Sequence, residues 1–305
     1  MNSSMPLIDW LLESLELDAS LFHVGRYCGG WHASTQGLAR ASFHLLVQGR
    51  CWLHLEDRAP QPLEAGDALF ILRDVPYRLS GEASAEAACA APHGQMAPLD
   101  VQAEDGVGLV CGFFHFHPGL SELIVDSLPT CLLLRAGDPA LAPARCLFEL
   151  ILAECARPQG PSAGVLERLS QLLFLYVLRQ HGAESGELRG LLALARQPAF
   201  AGLLQQLIAA PAQGWTLERM AACSGLSRAA FAKRFHELSG QTPGQVLLGL
   251  RMREACRLLK EGRAVAEVAE AVGYQSVAAF TRAFDALVGV PPGAYRRSRG
   301  RAGRE

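Results

Sequence analysis

Ser227-Arg228-Ala229-Ala230-Phe231-Ala232-Lys233-Arg234-Phe235 is followed 49 residues later by Ser276-Val277-Ala278-Ala279-Phe280-Thr281-Arg282-Ala283-Phe284. The same register holds for Leu238 and Leu287, Gly240 and Gly289, Pro243 and Pro292, and Gly244 and Gly293. Upstream, Ala221-Ala222-Cys223-Ser224-Gly225 answers Ala269-Glu270-Ala271-Val272-Gly273, with one extra residue in the second turn. One supersecondary unit therefore occurs twice.

Each copy reads as helix, turn, helix. In the first, Thr216 caps a helix that turns Leu217, Met220 and Ala221 inward. Gly225 supplies the turn, and Ser227 caps a second helix with Phe231, Phe235 and Leu238 on its buried face. The second copy uses Val265, Val268 and Ala269, then Gly273, Ser276, Phe280, Phe284 and Leu287. In both, the N-terminal face of the second helix stays outside and suits a DNA major groove. That face carries Ser227, Arg228, Ala229, Ala232 and Lys233 in the first unit. In the second it carries Ser276, Val277, Ala278, Thr281 and Arg282. Pro243 opens a helix to about 261 that joins the units and carries Arg251, Arg253, Arg257 and Lys260. Such a rigid spacer would set two recognition helices about 34 Å apart, one turn of duplex.

Charge agrees. Residues 213–305 hold 15 basic and 8 acidic groups, whereas the chain of 305 residues has a net charge of −2. A basic segment on an acidic body is the electrostatic footprint of nucleic-acid binding.

Residues 213–297 resemble the DNA-binding domain of the AraC/XylS family. The resemblance rests on Ala221-Ala222, Gly225-Leu226-Ser227, Phe231, Phe235, Gly240 and Thr242-Pro243. It continues in Val268-Ala269, Val272-Gly273-Tyr274, Ser276, Phe280, Arg282, Phe284, Gly289, Pro291-Pro292 and Tyr295-Arg296. It implies that Arg228, Ala229, Ala232 and Lys233 meet bases, that Arg282 contacts DNA from the second unit, that RNA polymerase is a partner, and that the regulator is an activator. Ala229 and Ala232 offer only apolar contact, for example to a thymine methyl.

The N-terminal half reads differently. Leu7, Ile8, Leu11, Leu12 and Leu15 give residues 1–20 a short amphipathic helix. Strand-like runs follow at Ser42–Val47, Cys51–Leu55, Ala68–Leu72, Tyr77–Leu79 and Val107–Phe116, so a β-sandwich or barrel is expected. The stretch 81–106 reads as a mobile loop. Beyond Pro118-Gly119 the pattern is helical, with amphipathic segments at Ala142–Ala156 and Val165–Gln180 and a helix at Pro198–Ala209. The stripe Leu166, Leu169, Leu172, Leu173, Tyr176 and Val177 is broad enough to meet a second subunit. The expected class is α+β and multidomain: a β-domain over 1–118, a helical linker and dimerisation region over 119–212, and an all-α domain over 213–305.

Residues 21–118 resemble the cupin-like sensor domains joined to this DNA-binding domain. Phe43-His44-Leu45-Leu46-Val47-Gln48-Gly49, Cys51-Trp52-Leu53, Leu63-Glu64-Ala65-Gly66-Asp67, Pro76 and Cys111-Gly112 carry it. A small-molecule pocket is the implied function, with His44, Trp52, His54, Tyr77 and His115 as its candidate groups. A metal centre of the enzymatic cupin kind would need two close histidines, a carboxylate and a further histidine. His44 and His54 lie on separate strands, Tyr77 follows Pro76 where a histidine would stand, and His115 with His117 makes only a pair. No metal or cofactor is expected, and a metal-dependent cupin enzyme with a DNA-binding tail is the competing class.

The nine cysteines show no CxxC and read as free thiols. Thiol oxidation is the alternative signal, with Cys28 and Cys89 better placed than Cys111. No apolar run is long enough for a membrane span, and Asp9, Glu13, Glu16 and Asp18 at an N-terminus without a basic start argue against a secretory signal. The expectation is a cytoplasmic, homodimeric regulator that binds double-stranded DNA, responds to a small molecule or an oxidant, is not an enzyme, and has no membrane partner.

Overall fold

The computed structural model describes residues 7–38, 41–56, 58–92, 96–99, 106–138, 142–184 and 190–302. In chain order the N-terminal half forms α1 (Leu7–Glu13), β1 (Leu17–Tyr27), β2 (His32–Ala33), β3 (Ala41–Gln48), β4 (Arg50–Leu55), β5 (Gln61–Glu64), β6 (Ala68–Ile71), β7 (Tyr77–Ser80), α2 (Ala85–Ala90), β8 (Met96–Pro98) and β9 (Val107–Phe116). Then come α3 (Leu120–Asp126), β10 (Cys131–Leu134), α4 (Ala142–Cys155), α5 (Ala163–Glu184), α6 (Gly190–Arg196) and α7 (Pro198–Ala209). The last segment forms α8 (Leu217–Cys223), α9 (Arg228–Ser239), α10 (Pro243–Lys260), α11 (Val265–Ala271), α12 (Val277–Val288) and α13 (Pro292–Ala302).

Contacts group the chain into two compact units. One holds residues 17–115 and 129–184, the other residues 1–16, 116–128 and 185–305. The expected divisions at 118 and 212 fall elsewhere, because residues 119–212 are shared between the two.

The first unit is a two-sheet β-structure. One sheet runs β10-β6-β3-β9-β1-β8 and the other β2-β7-β4-β5. Tyr27, Leu46, Cys51, Leu53, Leu69, Leu79 and Leu109 belong to one buried cluster fed by both sheets. The larger sheet is covered on its other face as well. Phe174 of α5 lies 5.2 Å from Phe70 and 4.7 Å from Phe114, ring centre to ring centre. Burial on two faces explains why β3 and β9 read as near-continuous apolar runs.

Three expectations change here. Residues 17–20 begin a strand, not the end of a helix, because β1 is held between β9 and β8 in the larger sheet. The stretch 81–106 holds α2, capped by Ser84, and the strand β8; residues 93–95 and 100–105 lie outside the described residues. β10 interrupts the helical half. Its Cys131-Leu132-Leu133-Leu134 run is too short for periodicity to separate strand from helix, and pairing with β6 decides it.

In the second unit the two repeats close their turns alike. Leu226 N–H donates to Ala221 O and Gly225 N–H to Ala222 O; Tyr274 N–H donates to Ala269 O and Gly273 N–H to Glu270 O. This paired bonding requires a left-handed residue, and Gly225 and Gly273 take φ of 65° and 86°. The second repeat packs Phe280 and Phe284 with Val268, Ala269, Met252 and Leu259. The first borrows from outside the repeat: Phe200 of α7 lies 6.0 Å from Phe231 and 5.8 Å from Phe235. The DNA-binding unit thus begins before residue 213. α3 also packs on α10, where Gly249 has no room for a side chain, since a Cβ there would sit 2.6 Å from Leu123 Cδ1.

Candidate nucleic-acid interface and sensor cavity

The Oγ of Ser227 accepts from Ala230 N–H and that of Ser276 from Ala279 N–H, each at 3.4 Å. Both caps fix where the second helix of a unit starts. Arg228, Ala229 and Lys233 are exposed on α9 and Ala232 is half-buried. Val277, Ala278 and Arg282 are exposed on α12 and Thr281 is half-buried. Arg228 meets Glu218 at 3.0 Å with both side chains more than half exposed, and Lys233 meets Glu237 at 3.8 Å. Exposed pairs of this kind are weak, so phosphate can replace the carboxylates. The helix N-termini add partial positive charge at the same place.

The four cations of α10 are employed inside the unit. Arg251 donates to the carbonyls of Pro211 and Gln213. Arg257 holds Glu254 and Glu261. Arg253 lies over the Trp10 ring at 5.0 Å. Lys260 Nζ is 2.7 Å from Glu16, whose carboxylate also faces His117 at 3.3 Å. The bond from His117, opposed by burial and reinforced by Lys260, lowers the Glu16 carboxyl to about 2.

The β-unit contains a cavity of about 90 Å³ lined by Phe22, Tyr27, His32, Thr35, His44 and Cys111, among others. His44 stands at its polar centre. Its Nδ1 is 3.1 Å from Cys111 Sγ and its Nε2 is 2.6 Å from the Tyr77 hydroxyl. That hydroxyl accepts from Thr35 N–H at 3.1 Å and lies 2.7 Å from Thr35 Oγ1, which donates to Ser42 Oγ. Burial, with His23 nearby, lowers His44 to about 3. Burial raises Tyr27 to about 12 and pushes the Cys111 thiol up. Near neutral pH these groups are uncharged. A neutral imidazole offers one donor and one acceptor, so Cys111 and Tyr77 play opposite roles toward it.

Of the five candidate pocket groups His44 lines this cavity. Tyr77 is not in the lining and reaches it only through its bond to His44, and Trp52, His54 and His115 lie elsewhere. The alternation along β4 is as read, but Cys51 and Leu53 face the inter-sheet cluster, so Trp52 and His54 point the other way. His54 Nε2 bonds Ser80 Oγ and Glu82 O. His115 is exposed beside Ser20 Oγ at 3.0 Å, and His117 turns to Glu16, so the two do not converge. Among the described residues no three His, Cys, Asp or Glu side chains form a group able to hold a metal. Thr35 and Ser42 escaped the sequence reading because neither sits in a motif.

All nine cysteines are free. Cys28 and Cys89 are exposed and Cys111 is buried. Cys89 is in α2, with Arg78 Nη1 2.7 Å from its sulfur. No helix among the described residues is long and apolar enough to cross a membrane.

Residues 7–183 match a family model described as Cupin, and residues 220–298 one described as Helix-turn-helix domain. A putative AraC-like transcription regulator of Streptomyces antibioticus is 30% identical over 302 residues, covering 92% of this chain and 93% of the relative. An uncharacterized HTH-type transcriptional regulator of Haemophilus influenzae is 29% identical, covering 88% and 91%. The RCS-specific HTH-type transcriptional activator RclR of Escherichia coli is 28% identical, covering 83% of each chain.

Proposed function

The chain belongs to the AraC-like family of transcriptional regulators, and from that premise we propose that α9 and α12 read successive major grooves of one operator under control of a signal received in the β-unit. The observation that carries this is the pair of helices capped alike at Ser227 and Ser276, each with an open N-terminal face. Arg228 and Lys233 supply polar and phosphate contacts in the first unit, and Arg282 does so in the second. Ala229, Ala232, Val277, Ala278 and Thr281 supply shape and apolar contact. The effector is a small, uncharged molecule held by His44 and Cys111. Pairing of two copies uses Val165, Leu169, Leu172 and Tyr176, which share one face of α5 at helical spacing, three of them more than a third exposed. The regulator works in the cytoplasm, acts as an activator through RNA polymerase, and performs no catalysis.

The test is selection of genomic fragments by purified protein at physiological salt. A motif spanning two major-groove turns, weakened by Arg228→Ala and by Arg282→Ala, supports the reading. Absence of any motif, or indifference to both substitutions, overturns it. Sedimentation that finds only monomer at micromolar concentration removes the dimer.

A thiol signal is the second reading, favoured by the exposed Cys89 beside Arg78, surroundings in which thiols react. DNA binding that changes on oxidation in wild type and not in Cys89→Ser supports it; identical behaviour of the two discards it.

A further inference from the structure

A second cavity, of about 290 Å³, lies wholly within the DNA-binding unit. Trp10 of α1, the end of α7 with residues 208–212, Leu250, Arg253 and Glu254 of α10, and Ala271 of α11 line it. Its two charged walls are not alike. Glu254 is held by Arg257, with Nε 2.8 Å from the carboxylate. Among the described residues Arg253 makes no such ion pair. Its Nε is buried without a hydrogen-bond acceptor, and the guanidinium rests on the Trp10 ring 5.0 Å away. Glu16, the other acidic group acting on it, is engaged by Lys260 and His117. A buried cationic donor with no acceptor is costly, and here it borders an open volume.

We propose that this cavity binds a small organic monocarboxylate. The planar guanidinium fork matches a carboxylate through two parallel bonds. One guanidinium with Glu254 and Glu16 already near it matches one negative charge better than two. Trp10, Ile208, Leu250 and Ala271 receive the apolar body. The volume lies near the lower end of ligand pockets, about 300 Å³, so the body is about the size of one ring. The occupant would touch α10, which joins the two helix-turn-helix units, together with α11 of the second. Binding here and binding to DNA are then linked, each altering the other by the same factor. This site is separate from the uncharged cavity of the β-unit.

Benzoate and its neutral isostere benzamide are the probes, applied to the full-length protein in a thermal-shift titration and in DNA-binding assays. Benzoate raises the melting temperature with a dissociation constant of about 1 mM or tighter, benzamide does not, and benzoate changes DNA affinity. Arg253→Gln weakens benzoate binding at least about tenfold, whereas Arg234→Gln, exposed on α9, leaves it within about threefold. The proposal is overturned by equal responses to benzoate and benzamide, by no response at about 10 mM, or by a folded Arg253→Gln protein that binds benzoate as wild type does. Inorganic phosphate acting as strongly as benzoate overturns the monocarboxylate assignment. The benzoate and benzamide comparison needs no variant, so it decides the matter even if Arg253→Gln fails to fold.

Discussion

Replacing Tyr77 by Phe removes one oxygen and nothing else, at a position only 5% exposed. That oxygen accepts from Thr35 N–H at 3.1 Å and meets His44 Nε2 at 2.6 Å and Thr35 Oγ1 at 2.7 Å. Thr35 Oγ1 keeps Ser42 at 2.9 Å and His44 Nε2 keeps a long contact to the same hydroxyl at 3.4 Å. The backbone N–H of Thr35 keeps nothing from this network. A buried donor left unpaired costs about 1–3 kcal/mol, and the partial loss at His44 adds to it. The neighbouring cavity of about 90 Å³ can admit a water and limit the damage. The expected loss is about 2 kcal/mol, or about 4–8 °C in melting temperature for a unit of this size. Scanning calorimetry of both proteins at pH 7 reads it directly. A loss under about 0.5 kcal/mol, the range of an ordinary surface substitution, would refute the claim that this hydroxyl organises the cavity.

Glu16→Gln tests the tie between Glu16, His117 and Lys260. The folded carboxyl is lowered to about 2 from 4.5, so its contribution is present above pH 4.5 and is lost as pH falls through 2. With Glu16 42% exposed, solvent screening reduces the effect to about 1 kcal/mol at pH 7. Urea midpoints of wild type and variant should converge between pH 5 and 2, and a constant gap would count against the pairing. Gly240→Ala isolates a backbone cost. Gly240 has φ of 67° and open space where a Cβ would go, so the variant should lose about 1–2 kcal/mol with no steric part. No change in melting would contradict the left-handed cap. Arg228→Ala should weaken DNA binding and make the salt dependence shallower by about one charge if the contact is to phosphate; an unchanged salt slope with lost sequence preference would place it on a base.

The repeat was legible because its signals are local. A serine cap, a glycine two residues after the first helix, and phenylalanines four apart all act within one or two turns of chain. Phe200 was not legible as a member of that core, since nothing in α7 says which helix it meets. β4 shows the same limit in a sheet. Alternation separates Trp52 and His54 from Cys51 and Leu53, but which pair lies inside depends on where the opposite sheet stands. Arg253 looked like Arg257 and Lys260, a cation on a basic helix, until Trp10, some 240 residues earlier in the chain, was seen beneath it. β10 is set by its pairing with β6, sixty residues away, and not by its own four residues.

The order in which the chain visits its two units bears on how such regulators are recombined. The DNA-binding unit is assembled from three separated stretches, residues 1–16, 116–128 and 185–305. Sensor and reader are therefore interleaved along the gene and cannot be traded by one crossover between them. A junction at residue 212 leaves Phe231 and Phe235 without Phe200. A junction at 190 still brings in a foreign α1, which packs on α6, and a foreign α3, which must fit the bare backbone at Gly249. A working hybrid would need the donor's β-unit spliced in as two inserts, with residues 1–16 and 116–128 kept from the host.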